Sequence, residues 1–285
     1  MANILLTGAS GFLAQHIGVK FMREGHEVIG VDKRPLGQWI PSRFIQTDVR
    51  DLNYRDLLGI DYVISLHWRT NIPDCSRHPE ASTDDNIDTT IHLLEVAKEA
   101  GVKKLFFPST ASLYGNNKTP WKEDLPAKPI EHYSWQKLAC EYACKMYAES
   151  LGLNTVMARF FQVFGEHQRA DTALAAFIRA KSNGQPITLT ETTAQSSFRS
   201  GQRDFIYAGD IADAVYLLTM GETGGGEIYN IGGFVHSMEE IADAIGGTVK
   251  WIPRREWEVE RHEADTSKLR ALGWKPKIDV IEWLA

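Results

Sequence analysis

The chain is poor in cysteine, has no long apolar segment and carries no excess of positive charge. Three cysteines among 285 residues exclude a dense disulfide framework and are typical of reduced thiols. No apolar run reaches the ~18 residues that a membrane-spanning helix needs. The formal net charge of -6 argues against a basic surface for nucleic acid, so anionic ligands must be met by individual arginines and helix ends.

Length and composition fit one large domain with a smaller lobe. The 285 residues, 43% of them hydrophobic, exceed the usual size of a single domain. The chain enters an apolar strand almost at once, without a basic segment and a long apolar stretch before it, so we expect no signal peptide and a cytoplasmic location. Cys140 and Cys144 lie one helical turn apart, and packing in the core explains them better than a redox or metal site. We expect no metal.

A glycine turn follows the first apolar run. Ile4 to Leu6 suit a buried strand, and an amphipathic stretch begins after Gly11. In a strand, turn and helix of this kind, Gly8 permits the tight turn, Gly11 lets the backbone approach a pyrophosphate, and Ala14 allows close packing of helix on strand. The pattern predicts a phosphate site that also includes Ser10, Phe12 and Leu13.

An acidic residue ends the second predicted strand. Glu27 to Val31 form that strand and Asp32 follows it, about 20 residues after the glycine turn, where a dinucleotide site needs a carboxylate. Such a carboxylate accepts hydrogen bonds from both ribose hydroxyls and repels a 2′-phosphate, which favours NAD over NADP. Lys33 and Arg34 weaken this preference, because either side chain can bind a phosphate.

Tyr133 and Lys137 lie four residues apart at the start of a predicted helix, so their side chains share one face. A phenol titrates near ~10, and a neighbouring cation favours the phenolate, which makes the group useful for proton transfer. Taken alone, the pair also fits a packed tyrosine beside a solvated lysine. The other motifs decide between the two interpretations.

Short apolar strands alternate with helical stretches along the first two thirds of the chain. The pattern predicts a doubly wound parallel sheet, in which ligands bind beyond the carboxyl ends of the strands. We expect a long helix over Ser82 to Ala100 with Gly101 as its stop. After the first two strands, the predicted ones are Phe44 to Thr47, Tyr62 to Leu66, Lys104 to Phe107 and Asn154 to Arg159.

Together these motifs resemble the extended short-chain dehydrogenase/reductase family, in particular its NAD-dependent nucleotide-sugar epimerases and dehydratases. The resemblance runs nearly from end to end, and the order and spacing of the motifs make it specific. Beyond the glycine turn and the Tyr-Lys pair it includes Asp48, Asn86 at the start of a helix, Ser109 to Gly115, Arg159 to Gly165, Arg203 to Tyr207, Tyr229 to Gly232 and Asp265 to Lys268.

The resemblance implies a Rossmann domain, a smaller C-terminal substrate-binding lobe, and a role for each matching residue. Residues 1–165 form the NAD-binding domain with 203–232 returning to it, and residues 166–202 and 233–285 form the lobe. Thr110, Tyr133 and Lys137 are the implied catalytic residues, and Thr110, Arg203 and Arg261 contact the substrate. The implied NAD contacts are Gly8, Ser10, Gly11, Phe12, Leu13, Asp32, Lys33, Asp48, Val49, Leu66, Tyr133 and Lys137.

The branch of the family depends on the two residues after Thr110. Resembling dehydratases carry Asp-Glu there and decarboxylases keep a glutamate, whereas this chain has Ala111 and Ser112, which cannot act as acid or base near neutral pH. We therefore predict 4-epimerisation of a nucleotide-diphosphate sugar through a keto intermediate. A reductase, dehydrogenase or dehydratase of a nucleotide sugar, and a non-catalytic NAD-binding regulatory protein, are the alternatives. The resemblance also implies a homodimer through the Asn86 and Tyr133 helices.

Two segments depart from the family pattern. His67 and Trp68 stand where relatives have two small residues, and we expect them to fill space, with His67 as an extra proton donor the alternative. Glu191 to Gln202 is longer and richer in Thr and Ser than the usual link, and either covers the substrate or remains a mobile loop. Both lie where substrate choice is made, so the nucleotide and the sugar stay open.

Overall fold

We describe a computed structural model of the chain over residues 1–37, 39–192, 199–254 and 259–285. Within these ranges the strands are β1 Asn3–Thr7, β2 Glu27–Asp32, β3 Arg43–Gln46, β4 Tyr62–Ser65, β5 Lys104–Thr110, β6 Thr155–Phe160, β7 Gln162–Phe164, β8 Ile187–Thr190, β9 Gln202–Tyr207, β10 Glu227–Ile231, β11 Phe234–Ser237 and β12 Val249–Ile252. The α-helices are α1 Phe12–Arg23, α2 Ile72–Arg77, α3 Pro79–Thr83, α4 Thr89–Glu99, α5 His132–Ser150, α6 Ala173–Ser182, α7 Ala208–Met220, α8 Met238–Ile245, α9 Ser267–Arg270 and α10 Val280–Leu284. None of these helices is both long and apolar enough to cross a membrane.

Seven parallel strands form the main sheet in the order β10-β6-β5-β4-β1-β2-β3. The chain reverses direction across the sheet between β1 and β4, so a crevice opens beyond the carboxyl ends of these two strands. Apolar side chains of α1 and α7 cover one face of the sheet, and those of α4 and α5 cover the other. The predicted doubly wound parallel sheet is confirmed.

Strand β5 is longer than its apolar run predicts. We expected it to end at Phe107, but Ser109 and Thr110 continue the pairing with β6, opposite Arg159 and Phe160. Both polar residues are buried. The neighbouring strand satisfies their backbone groups, which an apolar pattern along one segment cannot reveal. Thr110 is thereby fixed at the edge of the sheet that faces the crevice.

The predicted helix over Ser82 to Ala100 is interrupted. A π-helical turn, Asp84–Asp88, separates α3 from α4, and Asn86 lies inside that turn and not at the start of a helix. The Asn86 side chain donates to the Arg69 carbonyl at 3.1 Å and to Gln136 Oε1 at 2.8 Å. Such turns often occur at functional sites. Here the turn ties the loop after β4 to helix α5.

A buried ion pair fixes α5 against the sheet. Arg159 of β6 donates from Nε and Nη2 to the two carboxylate oxygens of Glu141, at 2.9 and 2.8 Å. Because each charge satisfies the other in a planar, two-point arrangement, the pair is tolerated in the interior. The start of α5, which carries Tyr133 and Lys137, is therefore held at a set height above the sheet.

The remaining elements form a second core. Strands β11, β9 and β7 make a three-stranded sheet, β12 pairs with β8, and apolar side chains of α6, α8 and α10 pack among them. Helix α7 packs against α1, and β10 is an edge strand of the main sheet. This placement agrees with a return of the chain at 203–232, apart from β9, which pairs outside the main sheet. The division into two lobes stays a prediction.

Candidate functional site

One cleft of about 960 Å³ opens beyond the carboxyl ends of β1, β2, β4 and β5. Its walls come from the glycine turn, the end of each of these strands and the first turns of α5. The structure brings together here every residue for which the sequence predicts a cofactor or catalytic role, namely Gly8, Ser10, Gly11, Phe12, Leu13, Asp32, Lys33, Asp48, Val49, Leu66, Thr110, Tyr133 and Lys137.

The glycine turn forms a cradle that only glycine can make. Gly8 has φ +68, and a Cβ there would lie 2.5 Å from the Leu66 carbonyl oxygen. The Gly11 N–H donates to the Gly8 carbonyl at 2.9 Å and Gly11 begins helix α1 as its N-cap. Since the residue at the N-cap has no side chain, the first N–H groups of the helix stay open to an anion. The cradle therefore fits a pyrophosphate.

Asp32 lies at the edge of this cradle and is almost fully buried. Its carboxylate accepts the Ser10 N–H at 3.0 Å and a two-point contact from Arg34, whose Nε and Nη2 lie at 3.2 and 3.1 Å. Burial alone would raise the pKa of Asp32, but the hydrogen bonds from Arg34 and Ser10 outweigh it and the pKa is lowered. The carboxylate is charged at neutral pH and can accept from ribose hydroxyls.

Lys137 is buried with its ammonium group against aromatic rings. Nζ donates to the Pro108 carbonyl at 2.6 Å and lies 3.5 Å from the centre of the Trp68 ring and 4.7 Å from that of Phe107. Burial lowers the pKa of Lys137 to about 7. The rings partly offset the loss of water through their negative faces. A small change in the surroundings of Lys137 can therefore change its protonation near neutral pH.

Tyr133 lies on the same face of α5, with its ring centre 5.9 Å from Lys137 Nζ. We expected Lys137 to lower the pKa of the phenol, but burial raises it, and the negative charge of Glu131 adds to the increase. A hydrogen bond with Thr110 acts in the opposite direction. The expected lowering is not found in this state, because the effect of burial on the phenol outweighs that of its neighbours.

Thr110 and Ser112 form the start of the 3₁₀ turn Ala111–Tyr114. The Thr110 hydroxyl accepts the Ser112 N–H at 3.2 Å and lies 3.2 Å from the Ser112 hydroxyl. The turn therefore holds the Thr110 hydroxyl beside the Tyr133 phenol. A hydroxyl on a substrate carbon placed between them can be contacted by both groups.

His67 and Trp68 line the cleft. His67 Nδ1 shares a hydrogen bond of 2.8 Å with the Thr7 hydroxyl, and burial lowers the pKa of His67 to about 3. The ring is therefore neutral at physiological pH. Trp68 packs edge-on against Tyr133, at 6.2 Å between ring centres, and lies beneath Lys137. Within the described ranges, His67 Nε2 and Trp68 Nε1 are buried without a hydrogen-bond partner.

A second cavity of about 520 Å³ adjoins the first. Ile72, Ser112 and Gln162 line both, so the two form one continuous site. Arg203 lines the second cavity, and its predicted contact with substrate stays a prediction. Arg261 lines neither, because its side chain is held by the Glu263 carboxylate at 2.8 Å and by Gln202 Oε1 at 2.5 Å.

Among the residues of this second cavity to which sequence reasoning gave no role are Gln162 and Glu131. Gln162 joins the two cavities, and Glu131 precedes α5 with its side chain among the lining residues. A signal for Glu131 was its position two residues before Tyr133, where the N-cap of the helix must fall. Of the predicted Glu191 to Gln202 segment, residues 193–198 lie outside the described residues. Ser200 accepts the Thr190 N–H at 2.6 Å and so adjoins the end of β8.

Comparison with known proteins gives consistent matches over nearly the whole chain. The model of the NAD dependent epimerase/dehydratase family matches residues 4–232. The chain is 30% identical to a putative UDP-glucose 4-epimerase of Methanocaldococcus jannaschii, over 98% of this chain and 95% of that protein. It is 29% identical to a UDP-glucuronate 4-epimerase of Thermodesulfobacterium geofontis, over 100% and 94%.

A solved structure supports the same comparison. The Thermus thermophilus UDP-glucose 4-epimerase in complex with NAD superposes with a TM-score of 0.87 and 28% sequence identity. The alignment covers 99% of this chain and 96% of that one. Fold and sequence therefore agree along the main sheet and the smaller core alike.

The cradle predicts a large effect of Gly8→Ala. Its Cβ would meet the Leu66 carbonyl, and φ would remain positive. Gly25→Ala is a matched control, because Gly25 has φ +81 with nothing within 4 Å of an added Cβ. We expect the control to cost about 1 kcal/mol of stability and to bind NADH normally. Gly8→Ala should lower the melting temperature further and lose NADH binding by fluorescence titration. Equal behaviour of the two variants would contradict the cradle.

Burial of Lys137 predicts a pH dependence of stability. Because its pKa falls from 10.5 to about 7 on folding, the unfolded chain binds more protons between these values. The free energy of unfolding should therefore rise with pH through this residue, by up to about 1.4 kcal/mol per unit. Urea unfolding at pH 7 to 9 should show a flatter rise for Lys137→Met than for the wild type. Lys145→Met, at an exposed position of the same helix, should keep the wild-type slope; equal slopes for all three proteins would refute the lowered pKa.

Proposed function

The chain belongs to the NAD dependent epimerase/dehydratase family, and we propose that it is an NAD-dependent 4-epimerase of a nucleotide-diphosphate sugar. One observation carries this proposal above the others. Thr110, Tyr133 and Lys137 meet in the wall of a cleft whose floor is the glycine cradle and Asp32. The acidic groups that dehydration requires after Thr110 are replaced by Ala111 and Ser112, which leaves hydride and proton exchange at one carbinol carbon.

NAD fits the cleft residue by residue. The open N–H groups at the start of α1 would hold the pyrophosphate, and the Asp32 carboxylate would accept the adenosine ribose hydroxyls. Arg34 makes a two-point contact with Asp32, so its charge is balanced by that carboxylate and it is not an unpaired cation for a 2′-phosphate. This arrangement supports NAD over NADP. Asp48 and Val49, which also line the cleft, would face the adenine.

The chemistry needs one base, one hydrogen-bond donor and one cation. NAD, when bound, supplies the acceptor for hydride from the sugar carbon. Tyr133, as phenolate, takes the proton of the C4 hydroxyl, and Thr110 donates a hydrogen bond to the same oxygen as it becomes a carbonyl. The positive charges of Lys137 and of the oxidised cofactor both favour the phenolate, which offsets the effect of burial on Tyr133.

Inversion requires the keto sugar to turn over within the site while its nucleotide stays held. The second cavity would hold the nucleotide, with Arg203 as a contact for the diphosphate. The junction lined by Ile72, Ser112 and Gln162 would hold the sugar, with Tyr133 and Thr110 on one side. Tyr133 would then return its proton to the sugar oxygen, and the reduced cofactor would supply hydride to the other face, so that no net oxidation results.

Activity should depend on the Tyr133 hydroxyl. Purified protein would be incubated with UDP-, dTDP-, GDP- and CDP-sugars, and the products followed by mass and by sugar proton spectra. We expect an isomer of unchanged mass without net NADH, and a loss of about 10²- to 10⁴-fold in kcat for Tyr133→Phe. Tyr54→Phe, whose hydroxyl contacts the exposed Arg55 away from the cleft, should keep full activity.

Other products would assign other chemistry. Loss of water would show that Ala111 and Ser112 do not prevent dehydration, and stoichiometric NADH would assign a dehydrogenase. An active Tyr133→Phe variant would remove the phenol from the mechanism. If the wild type bound NAD but gave no product from any of these nucleotide sugars, a non-catalytic NAD-binding protein would be favoured.

We also propose that the protein is a cytoplasmic homodimer. The three cysteines are free and buried, which supports a reducing compartment. Helix α4 exposes the apolar side chain of Ile91, and α5 exposes those of Trp135, Tyr142 and Met146. On α5 the last three recur at a helical spacing, so they share one side of the helix. Two copies can bury this surface as a four-helix bundle.

A charged residue on that surface should separate the subunits. Sedimentation of the wild type is expected to give twice the chain mass, and Met146→Glu should shift it toward one chain mass. Leu272→Glu places the same charge at another exposed apolar residue and should leave the dimer intact. A monomeric wild type, or a dimer that Met146→Glu does not weaken, would rule out this interface.

A further inference from the structure

Glu131 has one carboxylate oxygen that the fold does not use. As the N-cap of α5 it accepts the Ser134 N–H through Oε1 at 3.0 Å. Its other oxygen, Oε2, is buried and has no hydrogen-bond partner within the described part of the chain. The side chain lines the second cavity. A helix cap needs only one acceptor, and Ser or Asp provides it with a shorter side chain.

The surroundings of this carboxylate leave its charge poorly compensated. Burial raises the pKa of Glu131, although hydrogen bonds from Ser134 and from the Tyr133 backbone and the charge of His132 all favour the ionised carboxylate. Ile72, Ile130 and Phe177 are apolar neighbours along the same cavity. An unsatisfied carboxylate oxygen inside a protein is costly. Its presence beside a cavity indicates that a ligand group completes its hydrogen bonding.

The position of Glu131 points to the sugar and not to the nucleotide. It lies two residues before Tyr133, and its charge contributes to the raised pKa of that phenol, so the two groups are close. Ser112 and Gln162, which line the cavity with it, also line the cofactor cleft. The reacting sugar must lie at this junction to reach both Tyr133 and the cofactor. Glu131 therefore faces the sugar ring from the second cavity.

We propose that Glu131 determines which sugars the site accepts, by binding a hydroxyl group of a neutral sugar and excluding a sugar that carries a carboxylate. The inference rests on the proposed function and narrows its substrate class. A sugar hydroxyl in the second cavity would donate to Oε2 after a rotation of the Glu131 side chain, because this oxygen is closed to solvent in the structure. A uronic acid would place a second carboxylate beside that of Glu131, and a like charge at this distance disfavours the ionised form of both groups. The relatives include a putative UDP-glucose 4-epimerase and a UDP-glucuronate 4-epimerase, so proteins similar to this chain are named for both substrate classes.

Binding of two matched ligands tests the proposal without turnover. UDP-glucose and UDP-glucuronate differ only in the oxidation state of C6, and each would be titrated calorimetrically into NAD-loaded protein carrying Tyr133→Phe. We expect UDP-glucose to bind at least about tenfold more tightly, as a penalty of ~1.4 kcal/mol or more implies. Adding Glu131→Gln keeps the cap acceptor and the shape but removes the charge. This substitution should increase the affinity for UDP-glucuronate at least fivefold and change the affinity for UDP-glucose by less than threefold.

Two further variants separate the sugar contact from the helix cap. Glu131→Ser caps α5 with a short side chain, so it should keep the melting temperature and also lose the discrimination. Glu149→Gln removes an exposed charge from the other end of α5 and should leave both affinities unchanged. A melting temperature within a few degrees of the parent in each variant shows that the fold is intact.

The outcomes distinguish this inference from the proposed function. The role of Glu131 would be overturned if the Tyr133→Phe parent bound UDP-glucose and UDP-glucuronate equally well, or if neither Glu131 variant changed the ratio of the two affinities. Epimerisation of nucleotide sugars would remain intact in either case. Failure of either ligand to bind, together with an inactive substrate panel, would refute both. The role of Glu131 would be established if the preference for UDP-glucose over UDP-glucuronate fell in Glu131→Gln and Glu131→Ser but not in Glu149→Gln.

Discussion

The ammonium group of Lys137 is the point on which the geometry of the site depends. It joins three elements, since it is carried by α5, donates to Pro108 in β5 and lies over Trp68, which follows β4. Such a group can stay inside the protein only while all three remain in place. The buried pair of Arg159 and Glu141 secures the same helix farther along. The contacts that hold Lys137 therefore also place Tyr133, one turn earlier on α5, beside Thr110.

The electrostatics of the site are set for a charged cofactor. Burial keeps the phenol of Tyr133 protonated and brings the pKa of Lys137 to about 7, so neither group carries its working charge firmly beforehand. Positive charge next to Tyr133 favours the phenolate, whereas the carboxylate of Glu131 opposes it. In the proposed mechanism, a larger fraction of Tyr133 would thus be phenolate when the oxidised cofactor is bound. Trp68, beneath Lys137, makes the response depend on a residue that departs from the family pattern.

Much of the fold and of the cofactor cleft follows from local sequence. The glycine turn, Asp32 after the second strand and the Tyr133 helix each depend on contacts within a few residues, and the structure places all of them in one cleft. The prediction did less well where distant segments decide. Strand β5 continues through Thr110 because β6 pairs with it, and Asn86 lies in a π turn because its side chain reaches Gln136. Arg261 contacts Glu263 and Gln202 in this structure, and its contact with substrate stays a prediction.

The sequence by itself determined the succession of the first six strands, the glycine turn that forms the cradle and the chemical types of the candidate catalytic groups. These features depend on periodicity, on the freedom of Gly8 to adopt positive φ and on spacing along one helix, all of which are local. Only the tertiary structure decided the protonation of Tyr133 and Lys137, the place of Trp68 beneath the ammonium, and the oxygen of Glu131 that no other group satisfies. Charge, burial and hydrogen-bond partners at those atoms come from segments far apart in the chain, and they exist only once the chain has folded.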